Sequence, residues 1–368
     1  MIEGFDYIPT GTGSTYSLMM AGQWYPRGSV FGSLTQNILG ASSTAFGYGC
    51  CYEDNRTYAQ TFNAQRWVYP VGTQTEGYMG ARVMVGSDHN GYGYLFVMDG
   101  ISELGQIYVT WEDYGKIKVY RDEPPTSGGG ILLGSTDIGA YYYDKWFYLE
   151  VYVKMGNTDG RVTVKINTVT VLDLVNVDTV YSSNASFSAV GFGNANSVGN
   201  TGAWKNNYRL DDLYFCDPAG TINNGFLGNV RAMALLPVSN GSVNNFAIGG
   251  SAPAATNWQS VLTTALNDTK YVYSNNVGDK DLYNVQAIVN APLVHGVQVK
   301  IAARMDDATQ RGLAAMIKSG GVEVEGITHY INQSYSFYRT IHELDPATGV
   351  GWTGAAVNLI QIGPKVVS

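Results

Sequence analysis

A chain that cleaves sugars needs two carboxylates on one face, one as acid and one as nucleophile. The acids that could serve are Glu76, Glu103, the adjacent Glu112-Asp113 and Glu150, and none of them share a strand at the spacing that would align them. They read as loop or solvent-face charges, with acids drawn from separate strands as the alternative. Asp211 and Asp212 are adjacent, so in a strand one points inward and the other outward. The inward one would take hydrogen bonds from loop amides or join a Ca²⁺ site. Calcium needs about six to eight oxygens, and these two residues supply few, so they read as structural, with Ca²⁺ as the alternative and no other cofactor expected. His89, His295, His329 and His342 are scattered without metal-ligand spacing, and no Gly-x-Ser-x-Gly elbow or phosphate-binding glycine loop occurs. Asp306-Asp307 beside Arg304 and Arg311 reads as a turn with local ion pairs. No catalytic residue is assigned, and the chain is expected not to be an enzyme.

The aromatic residues are the stronger signal. Tyrosine and tryptophan offer flat contact area with a polar tip, suited to sugar rings and to protein interfaces. Tyr92, Tyr94, Trp111, Tyr114, Tyr141, Tyr142 and Tyr143 are the candidates for glycan or subunit contact, with Trp24 and Tyr25 as further members. Adjacent tyrosines cannot all face one core, so at least one of Tyr141 to Tyr143 is expected at the surface or in an interface.

These residues must be held by β-structure. The chain has 368 residues, with 45 glycines, 27 tyrosines and only 14% charged residues. Gly-rich turns between short Tyr/Val/Thr runs indicate sandwiches or barrels. The net charge of −8 with no Lys/Arg cluster argues against nucleic acid and anionic membrane surfaces as partners. No apolar run reaches the ~18 residues of a membrane span. The N-terminus, Met1-Ile-Glu-Gly-Phe-Asp-Tyr7, carries no basic and apolar signal regions, so synthesis and folding in a cytoplasm are expected. Cys50, Cys51 and Cys216 are too few for a disulfide framework and read as buried small hydrophobes.

Apolar runs and alternations predict strands at Ala81–Val85, Gly93–Met98, Gln106–Trp111, Lys116–Arg121, Trp146–Lys154 and Arg161–Asn167. Residues 121–130 read as a loop, and Asn184–Asn207 as a polar surface excursion around a short strand at Ala189–Phe192. Further on, strands are expected at Val230–Leu236, Gly296–Arg304, Gly312–Lys318, Ser334–Ile341 and Ala356–Ile362, with one short helix at Trp258–Leu266. The stretch Leu210-Asp-Asp-Leu-Tyr-Phe-Cys216 through Gly225-Phe-Leu-Gly-Asn-Val-Arg231 reads as the seam between two domains, 1–217 and 222–368.

Lys116-Ile-Lys-Val-Tyr120, Lys145-Trp-Phe-Tyr-Leu-Glu-Val-Tyr-Val153, Gly160-Arg-Val-Thr-Val-Lys-Ile-Asn167 and Arg209-Leu-Asp-Asp-Leu-Tyr-Phe215 together resemble the concanavalin/laminin-G-like jelly roll. In that pattern Trp146 and Tyr148 cover the core. The seam, with Val294-His-Gly-Val-Gln-Val-Lys300, Ser334-Tyr-Ser-Phe-Tyr338 and Asp345-Pro-Ala-Thr-Gly-Val-Gly-Trp352, resembles structural proteins of tailed-bacteriophage virions. The expected fold is all-β, an N-terminal concanavalin-like jelly-roll sandwich plus a smaller C-terminal β-sandwich-like domain. The resemblance implies a non-enzymatic virion component. It would be tail-associated with host-glycan recognition, or a decoration protein on the capsid, with a polysaccharide-degrading jelly roll as the alternative from another class. Its partners would be other virion proteins and further copies of itself.

Overall fold

The computed structural model describes residues 1–4, 11–12, 25–27, 36–39, 51–58, 65–99, 104–122, 130–195, 204–262, 268–289, 291, 293–307 and 309–368. The protein is all-β and divides into two compact units, with the boundary between Met233 and Ala234. That is later than the seam at 217–222, because residues 217–233 pack with the first unit.

The described strands of the first unit are β1 (Ile2–Glu3), β2 (Gly11–Thr12), β3 (Tyr25–Arg27), β4 (Gln36–Leu39), β5 (Cys51–Tyr58), β6 (Gln65–Gln74), β7 (Glu76–Val85) and β8 (Tyr92–Asp99). They continue as β9 (Leu104–Glu112), β10 (Lys116–Arg121), β11 (Ile131–Ser135), β12 (Trp146–Lys154), β13 (Gly160–Ile166), β14 (Val169–Val177), β15 (Phe187–Ala195) and β16 (Trp204–Cys216). One sheet runs β14-β13-β12-β7-β16-β5-β4-β2 with β1 on β16, and the other runs β11-β10-β9-β8-β15-β6-β3. All pairings are antiparallel, and the chain passes repeatedly from one sheet to the other, giving a jelly-roll sandwich.

Between the sheets lie contacts such as Tyr52 on Phe192 (4.9 Å), Trp111 on Tyr208 (5.2 Å) and Phe187 on Phe215 (6.1 Å). Alternation on β12 puts Phe147, Leu149, Val151 and Val153 into this core, all buried. Tyr148 therefore points to the opposite face, and Trp146 with it, so the expectation that these two cover the core is corrected. Tyr148 and Glu150 are buried all the same, because something covers the outer face of the sheet. Asn184–Asn207 is also corrected. Residues 187–195 form β15, a central strand between β8 and β6, and β16 begins at Trp204. Its small residues hid its length and central place: Gly191 must be glycine, since a Cβ would come within 2.1 Å of the Trp67 carbonyl oxygen.

The second unit contains β17 (Pro237–Asn244), β18 (Ala247–Gly249), α1 (Asn257–Val261), β19 (Tyr271–Tyr273), β20 (Asp281–Val285), β21 (Val297–Ala303), β22 (Gly312–Ser319), β23 (Val322–Tyr330), β24 (Ser336–His342), α2 (Gly354–Val357) and β25 (Gln361–Val366). A five-stranded sheet, β17-β20-β25-β22-β23, encloses a core with the β21–β24 pair; Val285, Val299, Ala315, Ile317, Trp352, Val357 and Ile360 meet there. Asp281 is buried and satisfied by Asn257 Nδ2, Tyr283 Oη and the Phe246 N–H. Arg311 pairs with Asp307, whereas Arg304 reaches Asp268. Two strand expectations fail here. Val230–Leu236 has no sheet partner, and Ala356–Ile362 is strand only from Gln361, since Ala356 and Val357 end α2, whose first turn is capped by Thr353 Oγ1 accepting from the Ala356 N–H at 3.1 Å.

Candidate functional site

The aromatic candidates separate into an exposed corner and a buried set. β9 and β10 pair up to Glu112 opposite Lys116, which leaves only Asp113, Tyr114 and Gly115 to reverse the chain. A connection this short needs left-handed residues. Gly115 (φ 69°) is one, and a Cβ there would stand 2.4 Å from the Tyr141 carbonyl oxygen. Tyr114 (φ 64°) is the other, and a side chain in that conformation costs roughly 1–2 kcal/mol. Its ring is 76% exposed, so burial does not offset that cost.

The loop from 136 to 145 braces this turn. The Gly139 N–H donates to Tyr114 O (3.0 Å), the Ala140 N–H to Gly115 O (2.9 Å), and the Tyr114 N–H to Tyr143 Oη (2.8 Å). Tyr141 is buried, stacked on Phe147 at 4.8 Å, and donates its hydroxyl to Glu112 O at 2.6 Å. Tyr142 projects, 76% exposed, as does Ile138 at 69%. Asp144 is also left-handed (φ 56°), and its carboxylate accepts from the Ser87 N–H. Two strained non-glycine residues and two protruding tyrosines thus share one rigid corner. A sparsely populated backbone conformation held by such bracing is a marker of a functional surface.

The other candidates lie elsewhere. Tyr94 and Trp111 are buried. Tyr94 belongs to an aromatic cluster with Phe96, Tyr108 and Tyr120, against which half-buried Tyr92 packs. Trp111 is in the inter-sheet core. Neither Tyr94 nor Trp111 offers a contact surface, because alternation on β8 and β9 places them inward or beneath cover. Trp24, the Tyr25 side chain and Cys50 lie outside the described residues. Cys51 is buried, and half-buried Cys216 donates weakly to Gly225 O at 3.5 Å. Among the described residues no group of three His, Cys, Asp or Glu side chains is placed to hold a metal, and no helix is long and apolar enough to cross a membrane.

Asp211 and Asp212 are both buried. Asp212 forms an ion pair with Arg82 at 2.8 Å and accepts from the Ala232 N–H at 2.9 Å. The structural reading of Asp212 thus has a concrete form, an ion pair with an amide acceptor role. Burial raises the Asp212 carboxyl above its usual range against the pull of Arg82 and that amide. Around the pair lie Tyr148, Glu150 and Tyr214, which motif reading did not connect. Tyr148 donates to Asp212 O, Tyr214 donates to Glu150 Oε1 at 2.6 Å, and the two tyrosine rings run parallel at 6.5 Å. Gly80 makes room for them, since a Cβ there would come within 2.3 Å of the Tyr214 ring. Burial and the neighbouring carboxylates push both phenols upward. The available signal was the run Trp146–Lys154 itself, with apolar and aromatic residues on both faces, which demands a cover.

His89 adds a titratable group beside the Tyr208 ring. It is buried, and its Nδ1 accepts from the Asn207 N–H at 3.0 Å. Burial lowers its pKa to about 4.

No family model matches the chain, and no curated protein matches it. Solved structures with partial likeness include the alginate lyase Aly36B, 16% identical with a TM-score of 0.40 over 59% of this chain and 96% of that one. An alginate lyase from Chlorella virus is 13% identical with a TM-score of 0.38 over 56% and 98%. A carbohydrate-binding module, CBM66 from Bacillus subtilis, is 11% identical with a TM-score of 0.32 over 52% and 94%.

Proposed function

We propose that the chain recognises surface carbohydrate without cleaving it, and that it does so as a tail-associated component of a tailed-phage virion. The observation that carries the recognition reading is the corner where Tyr114, strained at φ 64°, and Tyr142 both protrude at 76% exposure on a scaffold of four hydrogen bonds. A turn backbone held in place before a ligand arrives presents both tyrosines without further loss of backbone entropy when they stack against a sugar. The virion setting is supported by the resemblance of the 210–237 seam and of the second-unit motifs to phage structural proteins.

The test is binding of the purified protein to a panel of bacterial surface polysaccharides, with Tyr114→Ala/Tyr142→Ala as control. Retention by at least one glycan, weakened tenfold or more in the double variant, supports the reading. Binding that ignores the double variant removes the corner. Release of reducing ends during incubation would replace recognition by catalysis. Immunogold labelling of phage particles tests the setting: label at the tail supports it, label over the head makes the protein a decoration, and no label sinks the virion reading.

A further inference from the structure

The cover over the outer face of β7, β12 and β16 is the chain's own segment Gly225-Phe-Leu-Gly-Asn-Val-Arg-Ala232, the seam motif that the glycan reading leaves unused. It has no strand partner; the side chains of the sheet recognise it. The Leu227 N–H donates to Tyr214 Oη (3.2 Å), the Gly228 N–H to Glu150 Oε1 (2.8 Å) and the Ala232 N–H to Asp212 Oδ1 (2.9 Å). Arg82 Nη2 donates to Asn229 Oδ1 (2.5 Å) and to Val230 O (3.1 Å). Phe226 is held between the Tyr78 ring, edge-on at 5.1 Å, and Lys165 Nζ at 4.1 Å. Gly228 is left-handed (φ 82°), which suits glycine.

This is how a protein binds an extended peptide: backbone groups give affinity, one aromatic anchor and one amide give selectivity. We infer that the outer face formed by Tyr78, Arg82, Glu150, Lys165, Asp212 and Tyr214 is a peptide-binding site, occupied in cis, whose ligand is a segment of the form Phe-x-Gly-Asn-Val-x-Ala. The segment shown to fit belongs to this chain, so the trans partner is the same segment of a second copy. Residues 217–224 tether the segment to β16 through Pro218, Gly220 (φ 82°) and Asn223 (φ 52°), with local hydrogen bonds from the Ala219 N–H to Asp217 and from Asn224 to Gly220 O. A tether this short gives an effective concentration on the order of millimolar, so the cis segment excludes a free one until its own anchors are removed.

The experiment uses the full chain carrying Phe226→Ala and Asn229→Ala, which leaves every residue of the sheet face in place. A fluorescent synthetic peptide with the sequence of residues 223–233 is titrated against it by anisotropy, while hydrogen exchange follows the Leu227, Gly228 and Ala232 amides and those of β7 and β12. The expected result is faster exchange confined to the segment, and peptide binding at least tenfold tighter than to the wild type. Adding Arg82→Lys should weaken that binding, as should replacing asparagine by alanine in the peptide. Three outcomes overturn the inference. The segment amides exchange freely and no peptide binds; the peptide binds wild type and variant equally; or exchange rises in β7 and β12 as much as in the segment, which makes these residues ordinary core.

Discussion

The braced corner and the face beneath the 225–232 segment are both built from tyrosines on loops or strands of one sandwich, and they use them in opposite ways. At the corner Tyr114 and Tyr142 are 76% exposed, and their rings make no hydrogen bond or ring contact among the described residues. Beneath the segment Tyr148 and Tyr214 are buried and every hydroxyl has a partner. What differs is cover. A phenol under a segment that presents amide groups becomes part of a buried polar network, costly to break. A phenol on an uncovered turn costs stability through its backbone and returns nothing within the chain. The comparison predicts that stability resides in the covered face and ligand contact in the corner.

The largest effect is expected from Arg82→Ala, which strands the buried Asp212 carboxylate. Loss of a buried partner typically costs about 3–5 kcal/mol, measurable as a fall in the urea midpoint. Asp212 has a folded pKa raised above its unfolded value, so its neutral form favours the folded state as pH falls through that folded value. The Arg82→Ala deficit should therefore shrink in acid. A deficit that is equal at pH 8 and pH 4 would show that the carboxylate is not the group left stranded.

The His89 site should respond with the opposite sign. Its folded pKa of about 4 lies below the unfolded 6.5. Its contribution is complete above pH 6.5 and is lost as pH falls from there to about 4. At ~1.4 kcal/mol per unit this is about 3 kcal/mol. Stability of His89→Gln measured across that window should be flatter than wild type; parallel curves would exclude His89 as the titrating group.

A smaller loss is expected for Tyr214→Phe, which removes the donor to Glu150 and the acceptor of the Leu227 N–H, at about 1–3 kcal/mol. Smallest of all is Tyr142→Ala, within about 0.5 kcal/mol, and Tyr114→Gly should be neutral or stabilising because it relieves the left-handed strain. If either corner change lowers the melting temperature as much as Tyr214→Phe does, the distinction between the two regions fails.

Much of the frame was legible in the chain. Strict alternation in Lys116–Arg121 and the hairpin around Met155–Gly160 mark strands with little ambiguity, because a period of two and a glycine-bearing turn are local properties. An exposed residue among Tyr141–Tyr143 was expected from strand alternation; Tyr142 is the exposed one, although the three lie in a loop ahead of β12. Where reading faltered, the deciding contact was distant. The full length of β15 was masked by its small residues, of which Gly191 is required by the backbone of a neighbouring strand. Ala356–Ile362 has strand-forming residues, but Thr353 caps a helical turn at its start and the strand begins only at Gln361.

Composition and period thus determined by themselves that this protein is all-β, acidic and rich in protruding or stacked tyrosine. They could not say which tyrosines protrude, nor that Arg82, 130 residues before Asp212 in the chain, is its ion-pair partner. Alternation assigns a side chain to one of two faces, whereas only the tertiary structure decides which face is covered and by what.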